Sequence, residues 1–278
     1  IYIIHGMQDW NVDPHMAFPT HQIAIDHGFD VKGLYGQWTH DYPDRPGGHD
    51  GGIGHPWSLR WDWADDLLEW FDFYLRDVGP QPRLIAEIQD DMGGWRVEDT
   101  YPPLDTEWNV TTLDQCELVS GSDTVTTTST TTLDCGTMEE DFRIIGMPTL
   151  HMGARISLLG TSGHLFVEMQ RGSDGAHLGH AVMDLRFSDG GKDGKLLVPG
   201  ETVLAQMEFF AMDVIIPAGD SLILVITQTG DDYVPSTVST LPVTVFLDDR
   251  STLSLSTVTR TCEDLFLPPM QEEYPMCM

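Results

Sequence analysis

The sequence has little positive charge. Its 278 residues include 14 lysines and arginines against 44 aspartates and glutamates, which gives a formal net charge of −30 at pH 7. Only three of the basic residues are lysines, namely Lys32, Lys192 and Lys195. A surface of this sign repels nucleic acid phosphates and anionic membranes. We therefore expect no nucleic acid partner, and an acid-rich, lysine-poor surface is typical of high-salt or extracellular surroundings.

Long apolar runs are also lacking. No stretch approaches the roughly 20 residues that a membrane-spanning helix needs, so no membrane insertion is expected. No signal-peptide pattern is present. The chain does not begin with methionine, and residue 1 already lies in a strand pattern. We therefore expect this chain to be the C-terminal part of a longer protein.

Cysteine is scarce, with four residues in the chain. Their spacing is not the CxxC of a metal site. It favours two disulfides, Cys116 with Cys135 and Cys262 with Cys277, each contributing roughly 3 kcal/mol under the chain-entropy model. The alternative is four buried thiols. The even count and the acidic composition favour an extracellular location, while a cytoplasmic one stays open.

Histidine is present, but without the spacing of a metal site. No HExxH motif occurs, and no two of the 11 histidines stand four positions apart, as in a helical zinc site. His177 and His180, three positions apart, would point to opposite faces of an extended strand. We therefore expect no metal and no cofactor.

The first 82 residues follow an α/β pattern. An apolar strand at Ile1 to Ile4 precedes a helix that Pro14 can begin and Gly28 can end. A second short strand follows at Val31 to Tyr35.

A second helix begins near Trp63. Its apolar residues fall on one stripe that we expect to face the core, with Gly79 and Pro80 ending the helix: Trp63, Leu67, Trp70, Phe71, Tyr74 and Leu75.

Residues 83–278 follow a different pattern. Short apolar runs such as HLFVEMQ and SLILVITQT alternate with Gly, Asp and Pro clusters, as in an all-β sandwich. Two stacked antiparallel sheets in a jelly roll are the predicted architecture. The Thr-rich segment 120–132 is expected to be an exposed loop or an edge strand. We also expect Trp95 and Trp108 to seal the interface between the two domains.

Asp9 and His40 are the candidate catalytic residues. Each follows one of the two strands of the α/β part, and a helical crossover between them makes those strands parallel. The carboxyl ends of neighbouring parallel strands meet at one edge, so the two side chains can touch there. A carboxylate that orients an imidazole is two thirds of a nucleophilic triad. The alternative is that Asp9 caps the following helix.

A nucleophile for this pair is missing from the sequence pattern. A GxSxG elbow is absent, because GTSGH and GDSLI lack the closing glycine, and residues 1–57 contain no serine. We therefore expect the nucleophile to precede residue 1.

Four landmarks in order carry a family resemblance: HGMQDWNV, YGQWTH, WFDFYLRDVG and EIQDDMGGWRVEDTYPP. Together they resemble the X-prolyl dipeptidyl-peptidase family of serine hydrolases, which also includes cocaine-esterase-like enzymes and α-amino-acid ester hydrolases. The resemblance covers nearly the whole chain. It implies the last part of an α/β-hydrolase domain at 1–82, followed by a jelly-roll domain at 83–278.

The resemblance also implies a function. Asp9 matches the acid and His40 the base of a Ser-Asp-His triad, with the serine and the oxyanion-hole donors upstream. A peptide or small ester is the implied substrate, with X-Pro dipeptide release first, and Trp10 and Trp38 are pocket candidates. A sandwich beside a catalytic domain is compatible with a homodimer. The alternative is a non-catalytic jelly-roll binding or assembly module with a vestigial hydrolase remnant.

Overall fold

The computed structural model describes residues 1–45, 59–157, 163–230, 241–266 and 268. Their helices are α1 (Ala17–Asp26) and α2 (Trp63–Arg76). Short 3-10 helices cover Pro14–Met16, Leu113–Gln115, Leu185–Phe187 and Cys262–Asp264. The strands of these described residues form three sheets. None of the described helices is both long and apolar enough to cross a membrane.

Sheet I has the order β1-β2-β3-β4-β18. Its strands are β1 (Tyr2–Gly6), β2 (Lys32–Gly36), β3 (Ala86–Gln89), β4 (Trp95–Glu98) and β18 (Leu265–Phe266).

Sheet II has the central order β14-β9-β17-β10-β16-β7, with β13 paired to β10 and β5 paired to β17. Its strands are β5 (Glu107–Thr112), β7 (Thr124–Val125), β9 (Phe142–Gly146), β10 (Thr149–Ile156), β13 (Val203–Glu208), β14 (Met212–Ile216), β16 (Val243–Val245) and β17 (Thr252–Thr257).

Sheet III has the order β12-β11-β15-β8-β6. Its strands are β6 (Glu117–Ser120), β8 (Thr131–Thr137), β11 (His164–Arg171), β12 (His177–Asp184) and β15 (Ser221–Thr227).

Sheet I contains the predicted strand–helix–strand unit. β1 and β2 are parallel, in a register that pairs Tyr2 with Lys32 and Gly6 with Gly36. β3 adds a third parallel strand beside β2. Sheet I also gains β4 and the distant β18, and these two strands and β3 all lie beyond the domain boundary predicted between residues 82 and 83. The division into two domains stays a prediction.

Sheets II and III share one apolar core, as expected of a β-rich C-terminal part. Met152 of sheet II and Val167 and Leu224 of sheet III belong to the same buried cluster. A second cluster joins sheet I to sheet II, since it includes Tyr35 and Ile145. The β-rich architecture is confirmed, and its description as a jelly roll stays a prediction.

The predicted core stripe of α2 is partly wrong. Trp70 is buried as expected, but Phe71 is 46% and Leu75 75% exposed. The face turned to the sheet is shifted around the helix from the predicted stripe, since it includes Asp66, which accepts hydrogen bonds from Tyr2 and Lys32. The helix also ends earlier than predicted, at Arg76, where Asp77 takes the left-handed conformation with φ 54°.

The Thr-rich segment is partly strand. Thr124 and Val125 form the edge strand β7, in agreement with the edge-strand prediction. Thr131 begins β8, which lies between β15 and β6, and its side chain is buried. The disulfide between Cys116 and Cys135 is confirmed. Cys262 is disulfide-bonded as well, and Cys277 lies outside the described residues.

The prediction that His177 and His180 point to opposite faces is wrong. The pairing of β11 with β12 shifts register by a β-bulge, so that Glu168 lies opposite His180 while Gln170 lies opposite His177. The extra residue puts both histidines on one face, where their rings hydrogen-bond.

Candidate active site

The ends of the three parallel strands of sheet I are tied together by glutamines. The side-chain amide of Gln8 donates to Gln37 Oε1 at 3.0 Å. The amide of Gln37 donates in turn to the carbonyl of Gln89 at 3.1 Å. All three side chains are buried. This glutamine layer holds together the carboxyl edge of sheet I, just beyond which Asp9 and His40 lie.

Sequence reasoning overlooked this glutamine layer. The signal was nevertheless present, because a glutamine stands at or just beyond the end of each parallel strand: Gln8, Gln37 and Gln89.

Asp9 follows β1 in a tight turn. Its backbone N–H donates to the carbonyl of Gly6 at 3.2 Å. Its Oδ1 accepts hydrogen bonds from the N–H groups of Asn11 at 3.1 Å and Val12 at 2.9 Å. Asp9 therefore holds its own loop, as Asp often does in turns, and it does so upstream of the 3-10 helix that begins at Pro14.

His40 completes the predicted pair. Its Nδ1 lies 2.9 Å from Asp9 Oδ2, so the predicted contact is confirmed. A carboxylate only accepts hydrogen bonds, so this contact puts a proton on Nδ1, and in the neutral imidazole Nε2 then carries the lone pair. The Asp9 side chain is 8% exposed and that of His40 61%. The acid is thus shielded while the imidazole can be reached.

His5 also contacts the acid loop. It lies in β1, and its Nε2 is 3.1 Å from the carbonyl oxygen of Val12. Burial lowers the pKa of His5, and the nearby charge of Asp9 opposes this only in part. His5 is therefore neutral at physiological pH and supports the loop without adding charge to the site.

A cavity of about 460 Å³ lies beside the pair. Trp38, one of the two pocket candidates, is part of its wall, together with residues that follow β2 and with Trp63 of α2. Trp10, the other candidate, packs its ring against His177 and His180 of β12.

Trp95 and Trp108, the two tryptophans predicted to seal the domain interface, differ in their surroundings. Trp95 is buried in sheet I against Trp38, with ring centroids 6.2 Å apart. Trp108 is 58% exposed on β5, so its predicted place in the interface is wrong.

The described residues contain no group of three or more His, Cys, Asp or Glu side chains that could hold a metal ion. The arrangement is instead an oriented imidazole beside a cavity, at the carboxyl edge of parallel strands. Such an imidazole can take a proton from a hydroxyl and return it.

Three hydrolases are among the solved structures that resemble this chain. No family model and no curated protein sequence matches the chain. A CocE/NonD family hydrolase from Staphylococcus aureus is similar, with a TM-score of 0.65 and 11% identity over 93% of this chain and 54% of that one. An aminopeptidase from a marine sediment Thaumarchaeota archaeon has a TM-score of 0.63 at 13% identity, over 95% and 53%.

An α-amino acid ester hydrolase is also similar, with a TM-score of 0.56 at 14% identity over 94% of this chain and 53% of that one. At these identities the likeness concerns the fold. The chain spans about half the length of each of these three structures.

Proposed function

We propose that the protein is a serine hydrolase in which Asp9 and His40 are the acid and the base of a Ser-His-Asp triad. The observation that supports this proposal is the 2.9 Å contact between the two side chains at the carboxyl edge of sheet I. The fold shared with hydrolases of the CocE/NonD, aminopeptidase and amino-ester kinds agrees with it.

The mechanism assigns one task to each residue. Asp9 holds the His40 ring with Nδ1 protonated and stabilises the imidazolium that forms during the reaction. His40 Nε2 accepts the proton of the serine hydroxyl as the serine oxygen attacks the substrate carbonyl, and donates it to the leaving group as the tetrahedral intermediate collapses to the acyl-enzyme. Water then hydrolyses the acyl-enzyme, with His40 again as base and then as acid. The proposal places the serine and the oxyanion-hole donors on chain that precedes residue 1, and residues 1–82 at the end of the same α/β-hydrolase domain.

The proposed substrates are amides or esters whose acyl group is transferred to the serine. The resemblance of HGMQDWNV and YGQWTH to the X-prolyl dipeptidyl-peptidases favours release of X-Pro dipeptides from a free N-terminus. Amino-acid esters and aryl esters follow in that order.

The triad is tested in the full-length protein with a fluorophosphonate probe and an X-Pro-4-nitroanilide substrate. We expect the wild type to react with both, His40→Ala to lower kcat by roughly 10⁶-fold and Asp9→Asn by roughly 10⁴-fold, the usual sizes of triad losses. The matched control is His151→Ala, which removes an exposed histidine of β10. Activity of His40→Ala within tenfold of wild type contradicts the assignment. Failure of the wild type to react with either reagent favours the non-catalytic module.

A further inference from the structure

The residue after the proposed acid is anchored on the β-rich part of the molecule. The ring centroid of Trp10 lies 4.4 Å from that of His177, at an interplanar angle of 38°. It also lies 4.9 Å from that of His180, which meets it edge-on. Trp10 is thus in contact with sheet III, while its neighbour Asp9 is in contact with His40.

The two histidines form a hydrogen-bonded chain with a carboxylate. His177 Nδ1 lies 2.9 Å from an oxygen of Glu168 on β11, and its Nε2 lies 3.0 Å from His180 Nδ1. The His177 side chain is 12% exposed and that of Glu168 21%. Burial alone would raise the pKa of Glu168, but the hydrogen bond and charge of His177 hold it below the usual value. The orientation of the His177 ring is fixed because both of its nitrogens are within hydrogen-bond distance of a partner.

Aromatic rings support the chain from behind. His180 is buried and lies 5.0 Å from the Phe166 ring and 4.5 Å from the Phe210 ring, between centroids. Phe210 in turn stacks on His15, at 5.1 Å and 28°. The loop that begins at Asp9 is thus held against the β-rich part at Trp10 and again at His15.

We infer that Glu168, His177 and His180 form an anchor that positions Asp9 through Trp10. The inference rests on the proposed function, because it assigns the anchor a purpose in orienting the triad acid. The physical reason is proximity along the backbone. A ring fixed by two contacts limits the movement of the next peptide, and the carboxylate on that peptide must stay at 2.9 Å from His40. Trp10, His177 and Glu168 are then positioning residues.

The direct readout is the tautomer of His40, observed by two-bond ¹H–¹⁵N NMR in the 278-residue chain. The contact with Asp9 favours the tautomer protonated at Nδ1, whereas a released imidazole loses that preference. We expect Trp10→Ala and His177→Ala each to lower the Nδ1–H to Nε2–H ratio of His40 at least fivefold. The double variant should do little more than either single one, because both changes break the same contact between Trp10 and His177. Trp10→Phe should restore most of the ratio.

Two matched controls separate positioning from general damage. Trp108→Ala removes an exposed tryptophan of β5, and His151→Ala an exposed histidine of β10, and both should leave the ratio unchanged. An unchanged ratio in Trp10→Ala and His177→Ala overturns the inference, and so does an equal fall in the controls.

Activity in the full-length protein separates this inference from the proposed function. We expect Trp10→Ala and His177→Ala to lower kcat by about 10- to 100-fold with KM within about twofold, the range for a misplaced catalytic group. If the wild type is inactive, the proposed function fails while the tautomer result still decides the anchor. If the wild type is active and both variants equal it, the anchor fails alone.

Discussion

Trp38 lies across the ends of β1 and β2 because two glycines leave room for it. A Cβ on Gly6 would stand 2.1 Å from the carbonyl oxygen of Trp38, and one on Gly36 would stand 2.0 Å from its indole ring. The two glycines are register partners. The Trp38 carbonyl cannot retreat easily, because it accepts the N–H of Gln8 at 3.1 Å. Close packing at this point thus holds the residues on either side of Asp9 and His40.

We predict that Gly6→Ala destabilises the protein by about 1–3 kcal/mol, the usual range for an overpacked site. The urea midpoint measures the change. Gly163→Ala is the matched control, because the nearest atoms to its new methyl group are side-chain ends of Leu197 at 3.3 Å and Leu185 at 3.4 Å. Equal midpoints for the two variants would show that Trp38 can shift at little cost.

Helix α1 is fixed to sheet I by a buried histidine. His21 is 1% exposed, and its Nδ1 lies 2.7 Å from the hydroxyl of Tyr35 on β2. Burial lowers the pKa of His21 to about 4. The folded protein therefore keeps His21 neutral at a pH where the unfolded chain binds a proton.

This difference predicts an acid-sensitive stability. Between about pH 6.5 and pH 4 the unfolded chain binds more protons at His21 than the folded protein does. The contribution of His21 to the free energy of unfolding is therefore fully present above pH 6.5 and is lost as the pH falls towards 4. We expect the wild type to lose about 2 kcal/mol between pH 7 and pH 5 through this group. Urea unfolding at both pH values measures it. His21→Gln should lack this part of the loss, whereas His151→Gln, at an exposed histidine, should retain it. Parallel pH profiles for the wild type and His21→Gln would contradict the prediction.

The junction of sheets I and II buries charge in a molecule that is strongly acidic overall. Asp213 of β14 accepts hydrogen bonds from Arg96 of β4 and from Arg143 of β9, the latter at 2.8 Å. Arg143 also donates to Asp90 at 3.0 Å. The side chains of Arg96 and Asp213 have no exposed surface. Buried charges of this kind are tolerated only when they are paired, so the network makes each sheet dependent on the other.

We predict that Asp213→Asn destabilises the whole molecule by about 3–5 kcal/mol, because it leaves two buried guanidinium groups without their shared carboxylate. Urea unfolding followed by fluorescence measures the loss. The control is Asp72→Asn on α2, whose partner Arg76 is 65% exposed; it should cost under about 0.5 kcal/mol. Similar losses for the two variants would mean that the junction contributes little.

Local patterns predicted much of this molecule and part of the candidate site. The glycine at position 28, the strand before Asp9 and the strand before His40 defined the crossover unit. Because neighbouring parallel strands end at the same edge of a sheet, this unit also predicted that the side chains of Asp9 and His40 meet. The place of Trp10 was beyond such reasoning, since the ring rests on His177 and His180. Those two histidines share a face only because of a bulge in β12.

The sequence by itself determined the strand–helix–strand unit, the β-rich remainder and the pairing of Asp9 with His40, since periodicity and turn residues act over a few positions. Only the tertiary structure decided that Phe71 and Leu75 face outward and that β18 joins sheet I. It also decided that Trp10 contacts sheet III. Each of these outcomes depends on a surface made by residues far along the chain. The free energy of packing two surfaces depends on both of them, so a local stretch of sequence does not determine it.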